Sequence, residues 1–359
     1  PHENAQFLLF LVAVIQAVDE YQGLLRMSVA TAGNDHRLGA SEAPPAIVSI
    51  FLGDELSAIL EAIETGTDYG GAENRDVMLG VGTLPRFLRD TTDRNRTSPF
   101  AFTGNKFEFR MVGSSDSIAC ANIMLNTAVA ESLRCFADEL EGAADFDAAL
   151  RVLLRRTIAA HKRILFNGNG YDEAWVDEAT QKRGLLNLRT APEAIAVLLE
   201  KKNMELLLSH GVMSEAEIRS RHEILLENYC KTVRIEALTM ADMARREILP
   251  AMERYLREIA DAVAAKRAVD ESLPCAYEMR LLKKLSALAD LAASKTEALE
   301  QAQLCLGGVP ELAEQAERIR EEVLPRMCEL RAVCDEAETL VAADRWPFPT
   351  YGELLFSVQ

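Results

Sequence analysis

The chain has 359 residues, with 56 Asp or Glu against 39 Lys or Arg, and a formal net charge of −17. An acidic chain without a basic stripe is a poor candidate for binding nucleic acid, because phosphate contacts need clustered Lys and Arg. The length permits a sizeable core and two domains.

The first part of the chain is predicted to be a buried helix. Residues 7–15 form an apolar run that is too short to span a bilayer, so no membrane association is expected. Apolar residues continue at helical spacing, without an interior proline, and predict one long helix over residues 4–30. Seven scattered cysteines without C-x-x-C pairs or metal-like spacing favour packing roles in a reducing, cytoplasmic compartment.

A binding loop is predicted over residues 33–45, GNDHRLGASEAPP. Two turn-forming runs, Gly33 to His36 and Gly39 to Ser41, flank a single arginine, Arg37. Glu42 follows, and the prolines behind it favour extended backbone. Loops that place an isolated Arg and an isolated Glu usually bind something.

Residues 46–52 predict a short strand, and residues 54–63 predict a helix that is capped by Asp54 and ended by Gly66. The Gly-rich, polar stretch 67–85 predicts a mobile loop, lying over a site or against a neighbouring subunit.

A strand with two distinct faces is predicted at Lys106-Phe107-Glu108-Phe109-Arg110. Successive side chains of a strand point to opposite faces, so both phenylalanines face a core and the three charged side chains share the other face. From this pattern alone, a solvated surface and a binding face are equally good interpretations.

The binding loop favours the second interpretation, and residues 33–45 and 94–114 are expected to meet in space. Behind the strand, residues 115–117 offer N-caps to an apolar helix that runs to about residue 140.

From residue 144 the sequence predicts long, charged, amphipathic helices that form an antiparallel bundle. They are expected at about 146–165, 192–209, 215–268 with a break near Pro250, 277–305 and 310–343. Their apolar stripes favour packing within the chain over subunit contacts by about three to one. The Trp346–Tyr351 stretch contains two prolines, cannot be helical throughout, and is expected to pin the tail to the body.

Several of these segments resemble glutamine synthetases. Residues 34–44 are similar to the family segment N-x-x-x-R-L-x-x-x-x-E-A-P, with one residue fewer between Arg and Glu, and Asn95-Arg96 resembles the N-R that follows. Phe107 to Arg110 resembles the strand [IV]-E-x-R. The spellings FNGNGY at Phe166 and WPFPTY at Trp346 are closest to the type III branch.

The resemblance implies an α+β fold in which residues 1–142 are the C-terminal part of a catalytic domain, with few strands and long helices. Residues 143–359 would be a helical region specific to the type III branch. It further implies that the small N-terminal β-domain and most metal-binding glutamates of the family precede this chain. We therefore expect this chain alone to be inactive.

The implied reaction joins ammonia to glutamate at the expense of ATP, in a cytoplasmic homo-oligomer that uses Mg²⁺ or Mn²⁺. The reaction has two steps, phosphoryl transfer and then amide formation. Both gather negative charge in one pocket, and metals and arginines neutralise this charge. The resemblance assigns these roles: Glu108 to the metal, Arg37 and Arg110 to glutamate, Arg96 to ATP and its transferring phosphoryl group, and Glu42 to a flap that helps deprotonate ammonium. Lys106 has no such match, and it is expected to supply the phosphate-directed cation in place of a family lysine that this chain lacks. This chain departs from classical members at Ala101, where they have an arginine, and at Thr103, where they have a nucleotide-contacting lysine.

Two alternatives stay open at this point. A ligase of the same fold could join a different amine to glutamate, because amine choice depends on pocket shape. A non-catalytic helical assembly protein would instead keep these arginines as surface ion pairs.

Overall fold

The computed structural model describes residues 4–40, 43–67, 97–349 and 351–356. The chain divides into two compact units, Pro1–Leu225 and Leu226–Gln359. Within the described ranges, no helix is long and apolar enough to cross a membrane.

The first unit is mostly helical. Its helices are α1 (Ala5–Glu20), α2 (Gln22–Met27), α3 (Ala32–Arg37), α4 (Gly53–Thr65), α5 (Ala119–Leu140), α6 (Phe146–His161), α7 (Glu173–Asp177), α8 (Ala191–Ala196), α9 (Lys201–Ser209) and the start of α10 (Glu215–Met243). Short 3₁₀ turns lie at Lys162–Ile164 and Val197–Leu199, and a π-helical turn lies at Glu178–Lys182. Helix α1 packs against both α5 and α6, which places its apolar run in the core.

The single helix predicted over residues 4–30 is two helices. Asn4 caps α1 by accepting a hydrogen bond from the Phe7 amide, and the chain leaves helical geometry at Tyr21 before α2 begins. The Val197 side chain lies against Gly23, where a Cβ atom would be 2.9 Å from Val197 Cγ1. Packing against a distant segment therefore accompanies a break that helical periodicity does not reveal.

The turn predicted at Gly33 to His36 is helical, since these residues form most of α3. Thr31 caps this helix, and its Oγ1 accepts a hydrogen bond from the Asn34 amide at 3.2 Å. Gly39 follows with a φ of 79°, in the left-handed region that favours glycine.

Three short strands form one sheet: β1 (Ile50–Phe51), β2 (Phe100–Phe102) and β3 (Phe107–Phe109). Strand β1 pairs in parallel with β2, and β2 pairs antiparallel with β3. The predicted alternation is confirmed, with Lys106 and Arg110 flanking β3. Of the strand predicted over residues 46–52, only residues 50 and 51 form a strand, β1.

The predicted ends of two helices are partly correct. Gly66 ends α4 with a φ of 73°, as predicted, but Asp54 lies in the first turn and Leu52 is the N-cap residue. Helix α5 starts at Ala119, whose amide donates to Ser117 Oγ at 3.2 Å.

The domain boundary predicted between residues 142 and 143 lies between α5 and α6. Both helices belong to the first unit, and both pack on α1. The assignment of the two sides of that boundary to different parts of an enzyme stays a prediction.

The second unit contains the end of α10 and the helices α11 (Leu249–Val269), α12 (Ala276–Leu306), α13 (Leu312–Arg318), α14 (Leu324–Glu338) and α15 (Tyr351–Phe356). Two π-helical turns, Ala244–Ile248 and Ile319–Val323, precede α11 and α14, and a 3₁₀ turn lies at Ala343–Arg345. The break predicted near Pro250 is the first of these π-helical turns.

Ion pairs show that consecutive long helices run antiparallel. Arg245 pairs with Glu300, and Lys266 pairs with Glu278. A residue later in the first segment thus pairs with a residue earlier in α12, as antiparallel helices require. The pairs Lys284–Glu336 and Lys295–Glu329 give the same order for α12 and α14. The antiparallel packing predicted for these helices is confirmed within this unit.

Candidate functional site

The two segments that were expected to meet do lie together. Arg37, at the end of α3, donates from Nη2 to the carbonyl oxygen of Arg110 at 3.2 Å and from Nη1 to that of Met111 at 3.1 Å. Met111 is fully buried just beyond β3. A side chain of the predicted binding loop therefore holds the backbone at the end of the charged strand.

Asn34 makes this junction rigid. Its side chain is buried, and Nδ2 donates to the carbonyl oxygens of Val29 at 2.8 Å and Met111 at 2.9 Å. Its Oδ1 accepts from Arg37 Nη1 at 3.2 Å. Because a buried amide needs partners for both its donor and its acceptor groups, this arrangement fixes one orientation of Arg37.

Among the described residues, the contacts of Arg37 leave donors on one edge of its guanidinium group without a hydrogen-bond partner. A guanidinium has five N–H donors, and three of them reach Asn34, Arg110 and Met111. Among the described residues, the remaining donors on Nε and Nη2 have no hydrogen-bond partner. Two parallel donors on one edge match a carboxylate. All three acceptors that Arg37 contacts are uncharged groups, so in this part of the chain it is not a surface ion pair.

A buried ion pair connects α3 to α2. Arg26 is 1% exposed, and its Nη2 lies 2.8 Å from Asp35 Oδ1. Its Nε donates to the Leu188 carbonyl at 2.8 Å, while the other oxygen of Asp35 accepts from the Ala191 amide at the start of α8. Burial raises the pKa of Asp35 against the lowering effect of the Arg26 charge. Removing one partner of such a pair would leave an uncompensated buried charge, so this contact ties α2, α3 and α8 together.

The charged face of β3 forms a connected row. Arg110 donates from Nε and Nη2 to Glu108 Oε2 at 3.2 and 3.0 Å, and Lys106 Nζ lies 3.6 Å from Glu108 Oε1. Thr103 Oγ1 donates to the same Oε1 at 3.3 Å. The hydrogen bonds from Arg110 are the largest cause of a lowered pKa of Glu108, so this carboxylate is ionised near neutral pH.

The opposite face of β3 is apolar, as predicted. Phe107 stacks on the buried Phe100 with ring centroids 4.9 Å apart, and Phe109 lies 6.0 Å from the same ring. Aromatic packing therefore fixes which face of the strand carries Glu108 and Arg110.

Glu42 and Arg96, two further predicted site residues, lie outside the described residues, as does the predicted loop beyond Thr67. His36, which the sequence did not connect with a metal, is exposed on α3.

The sequence did not single out Arg26 or Asp35, and it assigned no contact to Asn34. Asn34 could have been singled out, since it is the first residue of the segment that resembles the family pattern. Arg26 lies within an apolar helical pattern, where a buried charge is a signal only once its partner is known.

Glu108 suits a hard divalent cation as a single ligand. It offers an ionised oxygen donor, the ligand type that Mg²⁺ and Mn²⁺ prefer. Within the described ranges, no three His, Cys, Asp or Glu side chains are grouped so that they could hold a metal ion together. The fit is therefore that of one contributing ligand.

The family model and the relatives that match this chain all carry the same family name. A model described as the glutamine synthetase C-terminal domain matches residues 149–267. The chain is 42% identical to a glutamine synthetase of Butyrivibrio fibrisolvens over 100% of this chain and 51% of that protein. It is 40% identical to a protein named type-3 glutamine synthetase from Dictyostelium discoideum, over 99% of this chain and 49% of the relative. A glutamine synthetase of Bacteroides fragilis is 37% identical over 99% of this chain and 50% of its own length.

The chain thus spans about half the length of the curated relatives it matches, and the similarity extends over its whole length. The match includes the segments that meet at Arg37 and Arg110, as well as the helices that follow them. The resemblance to the type III branch is confirmed, since over its whole length the chain is similar to glutamine synthetases that include a type-3 member.

Proposed function

We propose that this chain carries part of the site at which glutamate, ammonia and ATP are converted to glutamine, ADP and phosphate. The observation that supports this best is the contact of Arg37 with the backbone of Arg110 and Met111. It brings the residues matched to glutamate binding together with Glu108, the residue matched to metal binding.

Arg37 and Arg110 are proposed to bind glutamate. The Nε and Nη2 edge of Arg37 is suited to a carboxylate. The guanidinium of Arg110 is a second planar cation, and in this structure its Nε and Nη2 donate to Glu108. Arg110 lies directly beside Glu108. A carboxylate substrate and a metal-bound phosphate would therefore be neighbours, as transfer of a phosphoryl group between them requires.

Glu108 is proposed to hold Mg²⁺ or Mn²⁺ with ligands from elsewhere in the enzyme. Such an ion, when bound, neutralises charge that develops on the transferring phosphoryl group. Lys106 is 66% exposed at the end of the same row, and its ammonium is proposed to contact an ATP phosphate. By family resemblance, Arg96 stabilises the transferring group and Glu42 helps remove a proton from ammonium.

We further propose that the complete enzyme is a cytoplasmic homo-oligomer and that residues outside this chain complete its metal and nucleotide sites. The chain spans about half of its relatives, in support of that proposal. The 359 residues alone should then form no glutamine.

The test is to express the chain alone and with its complete coding region, and to measure glutamine formation from ATP, glutamate and ammonium. Activity only in the longer protein is the expected result. Faster turnover with a small alkylamine than with ammonium would instead identify a different glutamate–amine ligase. The absence of any ligase activity in the longer protein would overturn the proposal and favour an assembly role.

A further inference from the structure

The segment Phe166–Tyr171, FNGNGY, lies against the sheet that carries the candidate site. Leu165 forms a parallel bridge with Ile50, and the Phe166 amide donates to the Ile50 carbonyl at 2.8 Å. Ile50 itself pairs with Phe100 of β2. The segment therefore extends the sheet at the edge opposite to β3.

Asn167 attaches the segment to the start of α4. Its Oδ1 accepts hydrogen bonds from the amides of Leu52 and Gly53 at 3.1 and 3.2 Å, and its Nδ2 donates to Ser57 Oγ at 2.8 Å. It thus serves amides at the helix N-terminus that have no intrahelical acceptor. Asn167 performs the role that the sequence assigned to Asp54.

Gly170 contacts the turn that leads into β2. Its amide donates to Thr97 Oγ1 at 2.9 Å, and a Cβ atom at Gly170 would lie 2.6 Å from the Thr97 carbonyl oxygen. The backbone of Gly170 does not have a positive φ, so an alanine there would be strained by close contacts, chiefly by this one with Thr97. The glycine is required for a close approach and not for its conformational freedom.

The segment has little freedom to move away from Thr97. Phe166 stacks on the buried Trp175 with ring centroids 3.6 Å apart, and Arg183 lies 5.1 Å from the Trp175 ring. Arg183 also donates to the Leu165 carbonyl at 2.6 Å. With the segment anchored in this way, a side chain at Gly170 would displace Thr97.

Displacement of Thr97 would reach the site through two neighbours in the chain. Arg96, proposed to stabilise the transferring phosphoryl group, directly precedes Thr97. Two residues further on, the Pro99 carbonyl accepts a hydrogen bond from the Arg110 amide at 2.8 Å.

We propose that Gly170 is a positioning residue for the site, acting through its contact with Thr97, and that Asn167 anchors the segment that carries it. The catalytic consequence rests on the proposed function, whereas the effect on the backbone around Thr97 does not. A residue in the region expected to be specific to the type III branch would thus set the geometry of the catalytic sheet.

The test is Gly170→Ala, with Gly308→Ala as the matched control, since a Cβ at Gly308 meets no atom closer than 4.0 Å. In the enzyme from the complete coding region, kcat for glutamine formation should fall roughly ten- to a hundredfold, as expected for a small misplacement of reacting groups. The KM for glutamate and for ATP should change less than threefold. In the 359-residue chain, hydrogen exchange of the Arg110 amide should become faster. The control variant should keep the kcat and the Arg110 exchange rate of the unchanged protein.

If the unchanged enzyme is active and Gly170→Ala keeps kcat within twofold, or if Arg110 exchange does not change, the proposal is wrong. Should the unchanged enzyme make no glutamine, the proposed function fails, and Arg110 exchange alone decides whether Gly170 positions Thr97. If Gly170→Ala does not fold, Thr97→Val and Thr97→Ser replace it under the same criteria. Only the serine variant retains a hydroxyl acceptor for the Gly170 amide, so equal kcat and exchange in the two variants would also refute the proposal.

Discussion

Arg37 Nη2 donates to the Arg110 carbonyl oxygen at 3.2 Å, so the side chain of one candidate glutamate-binding arginine holds the backbone of the other. A substitution of Arg37 therefore removes a charge and also releases the end of β3. Because the two residues are in contact, their effects on glutamate binding should not add. Loss of Arg37 should include part of the effect of losing Arg110.

Asn34→Ala should destabilise the first unit by about 2 kcal/mol, because the Val29 carbonyl loses the Asn34 donor and the Met111 carbonyl keeps only that of Arg37. In the complete enzyme it should also raise the KM for glutamate, because Arg37 loses one of its three contacts. Denaturant unfolding and steady-state kinetics measure the two effects. Asn122→Ala, at an exposed position of α5, is the control and should change neither.

Asn34→Asp separates the two effects of Asn34. The aspartate keeps an acceptor for Arg37 but loses both amide donors, so stability should fall while the KM for glutamate rises less than in Asn34→Ala. A larger rise of KM in the aspartate variant would show that Asn34 does not act through Arg37.

Arg110→Lys should weaken glutamate binding in the complete enzyme by about 1.5 to 3 kcal/mol, the range for hydrogen bonds to charged groups. The lysine keeps the charge but has no planar fork for a carboxylate, and it cannot reproduce the two donors that now orient Arg110 against Glu108. The KM for glutamate should rise roughly ten- to a hundredfold, and the KM for ATP far less. Arg219→Lys, in an exposed ion pair on α10, is the control. A raised KM for ATP alone would mean that this strand face serves the nucleotide.

Local sequence patterns were sufficient where neighbouring residues determine the structure. The alternation from Lys106 to Arg110 predicted both faces of β3, and Gly66 predicted the end of α4. In each case the cause lies within a few residues, in strand periodicity or in the left-handed conformation of glycine.

Long-range contacts explain what the sequence did not reveal. Residues 33–36 have turn-forming side chains, yet Asn34 turns inward to a Met111 carbonyl 77 residues away and belongs to a helix. Asp35 is an ordinary acidic residue until Arg26 and the Ala191 amide surround it. The meeting of Arg37 with Arg110 was expected because a loop with an isolated Arg and an isolated Glu indicated a binding site, and not from periodicity.

The first unit should depend on pH through Glu131, which connects α5 with the end of α9. Hydrogen bonds from Arg134, and then His210 with its Nε2 at 2.7 Å, lower the pKa of Glu131 from 4.5 to about 2. A carboxylate whose pKa is lowered by folding stabilises the folded state at pH values above its pKa in the unfolded chain. This contribution is lost as the pH falls from about 4.5 to about 2.

Glu131→Gln should therefore be less stable than the unchanged chain at pH 6, by about 1 kcal/mol for an ion pair partly screened by solvent. The difference should shrink towards zero near pH 2. Urea unfolding at several pH values measures it, with the exposed Glu236→Gln as the control. A difference that stays constant across this range would assign the effect to packing and not to the charge.

Glu42→Ala should separate the two chemical steps of the complete enzyme. Ammonium must lose a proton before its nitrogen can attack, and a carboxylate in a closed pocket both attracts the cation and accepts or relays that proton. Binding of ATP and glutamate should be nearly unchanged, while glutamine formation should fall roughly 10²- to 10⁴-fold, the usual range for a positioned acid–base group. Phosphoryl transfer to glutamate should survive better than amide formation. Rapid-quench measurement of ADP and glutamine in the same reaction distinguishes the steps, with the exposed Glu61→Ala of α4 as the control. An equal fall of both products, or no fall of either, would show that Glu42 has no special part in deprotonating ammonium.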